Sequence, residues 1–86
     1  MIFITLIKWK TAPTKELVNP WAKVLEGLEK QGIKIVHYWT LGRYDAVMIT
    51  EAPSEKDVMK ILLPLVDLAD TETMVAVPRE EAIKLL

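Results

Sequence analysis

Residues 33–53 limit the possible folds of this chain more than any other stretch of its sequence. Two runs rich in β-branched and aromatic residues, which favour strands, flank a short segment that contains Gly42 and Asp45. This arrangement predicts a β-hairpin with strands over residues 33–41 and 45–52. The hairpin would hold both tyrosines, the single histidine and one of the three tryptophans, so most of the polar and aromatic chemistry falls within it.

The segment before the hairpin predicts one strand and one helix. The strand is expected over residues 2–9, and residues 11–18, which have no clear period, are assigned to a connection. Asn19-Pro20 predicts the start of the helix, because Asn is a preferred N-cap and Pro is tolerated at the first helical position. The apolar stripe of this helix consists of Trp21, Val24, Leu25 and Leu28. Gly32 is expected to end the helix in a left-handed conformation.

The segment after the hairpin predicts a second helix, a strand and a short helix. Ser54 is expected to cap the second helix, with Asp57 returning a hydrogen bond in a variant of the capping box. The buried stripe of this helix consists of Val58, Ile61, Leu62, Leu65 and Leu68. Pro64 predicts a kink or a broken last turn, because proline removes a helical hydrogen bond. A strand over residues 71–77 and a helix over residues 79–86 follow.

The predicted order of elements is βαββαβ followed by a short C-terminal helix. With right-handed crossovers, this order gives an α+β fold of the ferredoxin-like type, a four-stranded antiparallel sheet with two helices on one face. The first and third strands are expected to be central. The chain of 86 residues has the length of one domain, which would span residues 1–86.

The sequence also predicts that the sheet face without helices is apolar, because the central strands do not alternate between apolar and polar residues. A second copy packed sheet against sheet would cover this face, which predicts a homo-oligomer, either a dimer or a multiple of dimers. The alternative is that the C-terminal helix covers it within one chain. A helix of eight residues is too short to be stable alone, so it is expected to dock on its own domain or on a neighbour.

Composition excludes several kinds of site. The chain has no cysteine and one histidine, which rules out thiolate metal sites and histidine clusters, and it has no glycine-rich phosphate loop. We therefore expect no metal and no cofactor. The net charge of −1 offers no basic field for nucleic acid or a membrane surface. The apolar run at residues 1–7 is too short to cross a bilayer and lacks the basic flank of a signal peptide, so the cytoplasm is the expected location.

Residues 38–45, with the sequence Tyr-Trp-Thr-Leu-Gly-Arg-Tyr-Asp, resemble the signature of the GYD domain family, which is named after a Gly-Tyr-Asp-like motif. Residues 4–9, 51–53 and 71–73 are also similar to members of this family, so the resemblance covers nearly the whole chain. It implies a ferredoxin-like fold and little about activity, since the function of the family is uncharacterised.

Six hairpin residues are candidates for ligand binding: His37, Trp39, Gly42, Arg43, Tyr44 and Asp45. Gly42 is expected either to adopt a positive φ or to allow close approach of a ligand. Arg43 and Asp45 could pair with each other, or Asp45 could accept backbone N–H groups in an Asx turn. Tyr44 could pack as a lid on the sheet or donate a hydrogen bond to a ligand.

The remaining candidates lie in the second strand. His37 shares a face with Trp39 and is either a core or interface residue or, with an ordinary pKa near 6.5, a general acid–base. His37 and Asp45 are therefore the weak catalytic candidates. Trp39, like the other tryptophans, is expected to anchor the core or an interface.

Three functions fit these observations. The first is a binding or regulatory module whose oligomer encloses a small, mostly apolar ligand near the hairpin. The second is a small cofactor-independent enzyme, an oxygenase or isomerase, by analogy with dimeric α+β barrels built from the same unit. In that case His37 or Asp45 would take a proton from a substrate between the sheets. The third is an RNA-binding sheet, which the net charge and the absence of an RNA-binding strand signature disfavour.

Overall fold

The computed structural model describes all of residues 1–86 and contains one antiparallel sheet. Its strands are β1 (Ile2–Trp9), β2 (Lys34–Trp39), β3 (Ala46–Glu51) and β4 (Ala69–Ala76), arranged in the order β2-β3-β1-β4. Both central strands, β1 and β3, pair with neighbours on each side. The predicted ferredoxin-like topology is confirmed, including the central positions of the first and third strands.

Three helices connect or follow these strands. Helix α1 (Lys15–Lys30) joins β1 to β2, and helix α2 (Glu55–Leu62) follows β3. A 3-10 turn over Leu63–Leu65 continues from α2, and helix α3 (Arg79–Ile83) follows β4. No helix is long and apolar enough to cross a membrane.

The predicted start of α1 at Asn19-Pro20 is wrong. The helix begins five residues earlier, at Lys15, with Thr14 as its N-cap, and the Thr14 side chain accepts the Leu17 backbone N–H at 3.3 Å. Pro20 therefore lies inside the helix, where its missing N–H costs one hydrogen bond. Burial of the stripe that begins at Trp21 offsets this cost, so the helix continues through the proline.

The ends of the helices match the sequence more closely. Gly32 follows α1 with φ +94°, as predicted. Ser54 is the N-cap of α2, but its side chain makes no capping hydrogen bond, so the predicted capping box does not form. Pro64 lies in the 3-10 turn, which confirms the predicted break in the last turn of α2.

The strand boundaries differ from the predicted ones by one or two residues. Strand β2 ends at Trp39 rather than at residue 41, because the backbone of Thr40 already belongs to the hairpin loop. Strand β4 begins at Ala69 rather than at residue 71, because Ala69 pairs with Trp9 at the end of β1.

The core lies between α1, α2 and the face of the sheet that they cover, which we call the helix-side face. Its buried apolar residues are Phe3, Ile7, Trp21, Leu25, Leu28, Ile33, Ala46, Met48, Ala52, Val58, Ile61, Leu65 and Ala69. The indole nitrogen of Trp21 donates a hydrogen bond of 2.9 Å to the carbonyl oxygen of Ile61 and so connects α1 to α2. The predicted stripes of both helices face this core.

The C-terminal helix does not pack on its own domain. It spans five residues rather than the predicted eight, and all of residues 79–86 are exposed. The alternative in which this helix covers the second sheet face within one chain is therefore not what the structure contains.

Candidate functional site

The sheet face opposite the helices, which we call the open face, is apolar across its middle. Strand pairing and alternation place nine side chains there: Ile2, Ile4, Leu6, Val36, Tyr38, Val47, Ile49, Met74 and Ala76. Nothing within the chain covers them, and Tyr38 remains 58% exposed, Val36 43% and Met74 41%. Monomeric proteins seldom leave a continuous apolar surface of this kind in water.

Charged side chains border the open face at both ends of its strands. At one end Lys34 and Glu51 form an exposed ion pair of 3.9 Å. At the other end the Tyr44 hydroxyl lies 3.3 Å from Glu72 Oε2, and the Lys8 ammonium donates to the carbonyl oxygen of Arg43 at 2.9 Å. An apolar centre with a polar border is the composition of a protein–protein interface.

The hairpin loop between β2 and β3 is held by its own hydrogen bonds. The Thr40 backbone N–H donates to the Asp45 carbonyl oxygen at 2.9 Å, and the Thr40 hydroxyl donates to the Tyr44 carbonyl oxygen at 2.9 Å. Gly42 has φ +133°, a conformation that side chains rarely allow, which agrees with its predicted positive φ.

Asp45 connects the loop to the central strand β1. Its carboxylate accepts the Trp9 backbone N–H at 2.8 Å, and its own N–H donates to the Ile7 carbonyl oxygen at 2.8 Å. Asp45 therefore extends the pairing of β1 and β3 by one position, rather than forming an Asx turn within the loop. It forms no ion pair with Arg43, whose side chain is exposed.

His37 lies on the helix-side face and is separated from the open face by the sheet. Its ring meets the edge of the Trp21 ring at a centroid distance of 5.2 Å and an angle of 86°. Its Nε2 atom is buried without a hydrogen-bond partner. Burial lowers the pKa of His37 below its ordinary value of 6.5, because the surroundings disfavour the charged imidazolium.

The concave surface of the molecule lies on the helix side, where β1 and β2 end. An open cleft of about 200 Å³ is lined by Pro13, Thr14, Lys15, Val18, Asn19 and Trp39. Trp39 forms one wall; it is 58% exposed, and its ring centroid lies 5.4 Å from that of Trp9 at a tilt of 58°. A narrow crevice next to the cleft continues towards Leu17 and Leu68.

The structure does not bring the six predicted ligand-binding residues into one cavity. Trp39 lines the cleft, His37 lies half-buried against Trp21 of α1, and the remaining four belong to the loop. The other residues of the cleft were missed because residues 11–18 were assigned to a connection. Thr14 as a possible N-cap, followed by Glu16 in the first turn, was the signal that could have found them.

No group of His, Asp and Glu side chains is arranged to hold a metal ion. The reactive groups near the cleft are one ammonium, one amide and one hydroxyl, from Lys15, Asn19 and Thr14. These groups can hydrogen-bond to a ligand, and the Lys15 ammonium can neutralise a negative charge.

The sheet order, the antiparallel pairing and the single layer of helices define a small ferredoxin-like α+β protein. The chain belongs to the GYD domain family, whose model matches residues 3–86. The predicted family is thereby confirmed over nearly the full length of the chain.

A solved structure of low sequence identity has a similar fold. A dimeric ferredoxin-like protein of unknown function from Thermobifida fusca has 14% sequence identity and a TM-score of 0.54, with 87% of this chain and 89% of that chain covered. A protein described as FFRP-DM1 has 26% identity and a TM-score of 0.49, with 90% of this chain and 100% of that chain covered. No curated protein matches the sequence.

Proposed function

We propose that this protein is a homodimeric module that binds a small ligand. Two copies would pair through their open faces, and each copy would bind its ligand in the cleft beside Trp39. The observation that carries this proposal is the position of Trp39, which stands half-exposed over a cleft whose polar side chains have no ion-pair partner.

The dimer is supported by the composition of the open face. Nine mostly apolar side chains lie within a polar border, and a two-fold axis would bury this face against an identical one. The similar protein from Thermobifida fusca is itself described as dimeric. Tyr44, at the border beside Glu72, would face the space between the copies, and binding roles for Gly42, Arg43, Tyr44 and Asp45 there stay predictions.

The lining of the cleft favours a small molecule with a flat apolar ring and an acidic group. The Trp39 ring offers a surface for stacking, and Lys15 offers a cation. The cleft also adjoins the first turn of α1, where the helix dipole is positive. A volume of about 200 Å³ corresponds to roughly seven water molecules, so it fits one ring with a short substituent.

The enzyme alternative receives no support from the positions of its candidate groups. The half-buried His37 faces Trp21 on the helix side, and the Asp45 carboxylate accepts the Trp9 N–H. Neither group is directed towards a substrate held between two sheets.

The dimer can be tested by light scattering after size-exclusion chromatography. We expect the wild-type chain to elute at about twice its 9.8 kDa mass. Ile49→Lys, in the middle of the open face, should give a monomer, because the lysine would be buried unpaired. Met59→Lys adds the same charge at an exposed position of α2 and should leave the dimer intact. A monomeric wild-type chain would refute the proposal.

The cleft can be tested by NMR titration with benzoate, with benzylamine as the cationic control. Benzoate should shift the Trp39 indole signal and the amides of residues 14–19 in a saturable manner, and Lys15→Gln should weaken this binding. Lys56→Gln removes a charge from the exposed side of α2 and should not. Equal shifts with both probes would exclude a preference for an acidic group, and shifts confined to the open face would exclude the cleft as the site.

A further inference from the structure

We propose that the C-terminal segment of each copy, residues 77–86, docks on the partner copy and clasps the dimer. We call this segment the arm. The inference rests on the dimer proposed above and adds a second contact surface to it.

The first observation is that the arm has no partner within its own chain. All of its residues are exposed, and the apolar side chains of Val77, Ile83 and Leu86 are among them. Its backbone hydrogen bonds are all internal, such as the bond from the Ala82 N–H to the Pro78 carbonyl oxygen at 3.0 Å.

The second observation is that the arm is nevertheless helical. Helix α3 has five residues, whereas isolated helices shorter than about 12–15 residues are marginal in water. Its N-cap position is Pro78, which makes no side-chain capping hydrogen bond. A helix this short and this weakly capped needs a tertiary contact, and the only unoccupied source of one is another molecule.

The shape of the chain points to the same conclusion. The Cα radius of gyration is 13.7 Å and the longest dimension is 46 Å. A compact domain of this length has a radius of gyration of about 12 Å. An eight-residue strand accounts for only about 27 Å of length, so the arm extends the molecule beyond the sheet.

The arm leaves the sheet next to the open face. Ala76, the last residue of β4, pairs with Ile2 in the end row of that face. The arm therefore begins at the edge of the surface that the partner is proposed to cover.

The area of the open face indicates what the arm contributes. Four strands about 4.8 Å apart and three rows of side chains over about 20 Å give a projected apolar area of about 400 Å² per copy. Two such faces would bury about 800 Å² in projection. Docking of both arms would add apolar area to this contact.

Hydrogen exchange of the arm amides tests this inference directly. In the wild-type dimer, the amides of Ala82, Leu85 and Leu86 should exchange about tenfold or more slowly than in the monomeric Ile49→Lys variant. Fast exchange in an intact wild-type dimer would overturn the arm proposal and leave the dimer proposal standing. Equal protection in the dimer and in the monomeric variant would assign the arm to its own domain and also overturn it. A monomeric wild-type chain would remove both proposals.

Dissociation of the dimer on dilution gives a second test. Ile83→Ser combined with Leu86→Ser removes two apolar side chains from the arm and should raise the dimer Kd about 10- to 100-fold. Lys84→Ser lies between them and should leave Kd nearly unchanged. An unchanged Kd in the double variant would show that the arm does not hold the partner.

Discussion

The two faces of this sheet differ in the polarity of their middle rows. The middle row of the helix-side face consists of His37, Met48, Thr5 and Thr73, three of which are polar. The middle row of the open face consists of Val36, Ile49, Ile4 and Met74, none of which is polar. In the middle row, the face that lacks cover within the chain is thus the more apolar one.

The polar groups of the helix-side face are only partly paired. The Thr5 and Thr73 hydroxyls lie 2.9 Å apart and share a hydrogen bond. Thr50 Oγ1 and His37 Nε2 are buried without partners, which costs stability within the core. Because the middle row of the open face is apolar, burying that row against another surface would add to stability. This comparison therefore supports an interface more strongly than the exposed area alone.

Adjacent residues of β3 provide the largest test of this difference. Met48 is 0% exposed on the helix-side face, and Ile49 is 36% exposed on the open face. Met48→Ala should lower the free energy of unfolding by about 2–5 kcal/mol, because it removes buried volume from the core. Ile49→Ala should lower it by less than about 1 kcal/mol when urea unfolding is followed at concentrations that favour the monomer.

The order of the two effects should be reversed when the dimer Kd is measured. Ile49→Ala should raise the dimer Kd, while Met48→Ala should leave the Kd of the folded protein nearly unchanged. Equal losses of monomer stability from the two substitutions would mean that both faces are buried in the monomer. This result would contradict the difference in burial between Met48 and Ile49.

A somewhat smaller loss of stability is expected from a substitution of Asp45, at the polar end of the open face. Asp45→Ala removes the carboxylate that accepts the Trp9 N–H, and it should lower the free energy of unfolding by about 1.5–3 kcal/mol. Asp70→Ala is the matched control at the same end of the sheet. Asp70 is 79% exposed and its ion pair with Lys10 spans 3.7 Å, so its loss should cost less than about 0.5 kcal/mol in urea unfolding. A cost for Asp45→Ala as small as that of the control would leave this carboxylate available for a ligand.

Sequence patterns were sufficient for the topology because each signal was local. Strand-like runs, the hairpin segment and Pro64 each act within a few residues, and the order of elements then leaves few ways to arrange the sheet. The start of α1 was misread because Asn19-Pro20 fits the rules for a helix start, while burial of Trp21, Leu25 and Leu28 let the helix run through the proline. Such compensation by packing cannot be read from the cap residues alone.

The candidate site was harder to predict because a cleft depends on the distance between separate segments. The motif around Gly42 stands out in the sequence, but its hydrogen bonds are directed to its own loop and to β1. Trp39 was found because it lies in the hairpin, whereas Lys15 and Asn19 reach the same cleft only because α1 begins early. Which apolar face the helices cover was also undetermined, since both sets of side chains in β1 are apolar.

A third test concerns the turn between β2 and β3, which fixes the register of the two strands. A shift of one residue in this register would move the side chains of a strand from one face of the sheet to the other. Gly42 has φ +133°, so Gly42→Ala should lower the free energy of unfolding by about 1–2 kcal/mol through backbone strain. Gly27 lies within α1 with no atom near its added Cβ, and Gly27→Ala should raise stability by about 0.5–1 kcal/mol. Thermal unfolding of the two variants would measure the expected loss of stability in Gly42→Ala and the expected gain in Gly27→Ala. A stabilised Gly42→Ala variant would mean that the loop adopts another conformation in solution.

The smallest expected effect concerns His37 and Tyr38, adjacent residues of β2 on opposite faces. Burial lowers the pKa of His37 in the folded protein below 6.5, so the unfolded chain binds the proton more readily. Stability that is complete above pH 6.5 should therefore decrease as the pH falls through the lowered pKa. His37→Phe should flatten this part of the curve of unfolding free energy against pH, and Tyr38→Phe should leave it unchanged. Other titrating groups contribute equally to all three proteins, so the difference between the curves isolates the imidazole. A slope that survives in His37→Phe would place the acid sensitivity outside the helix-side face.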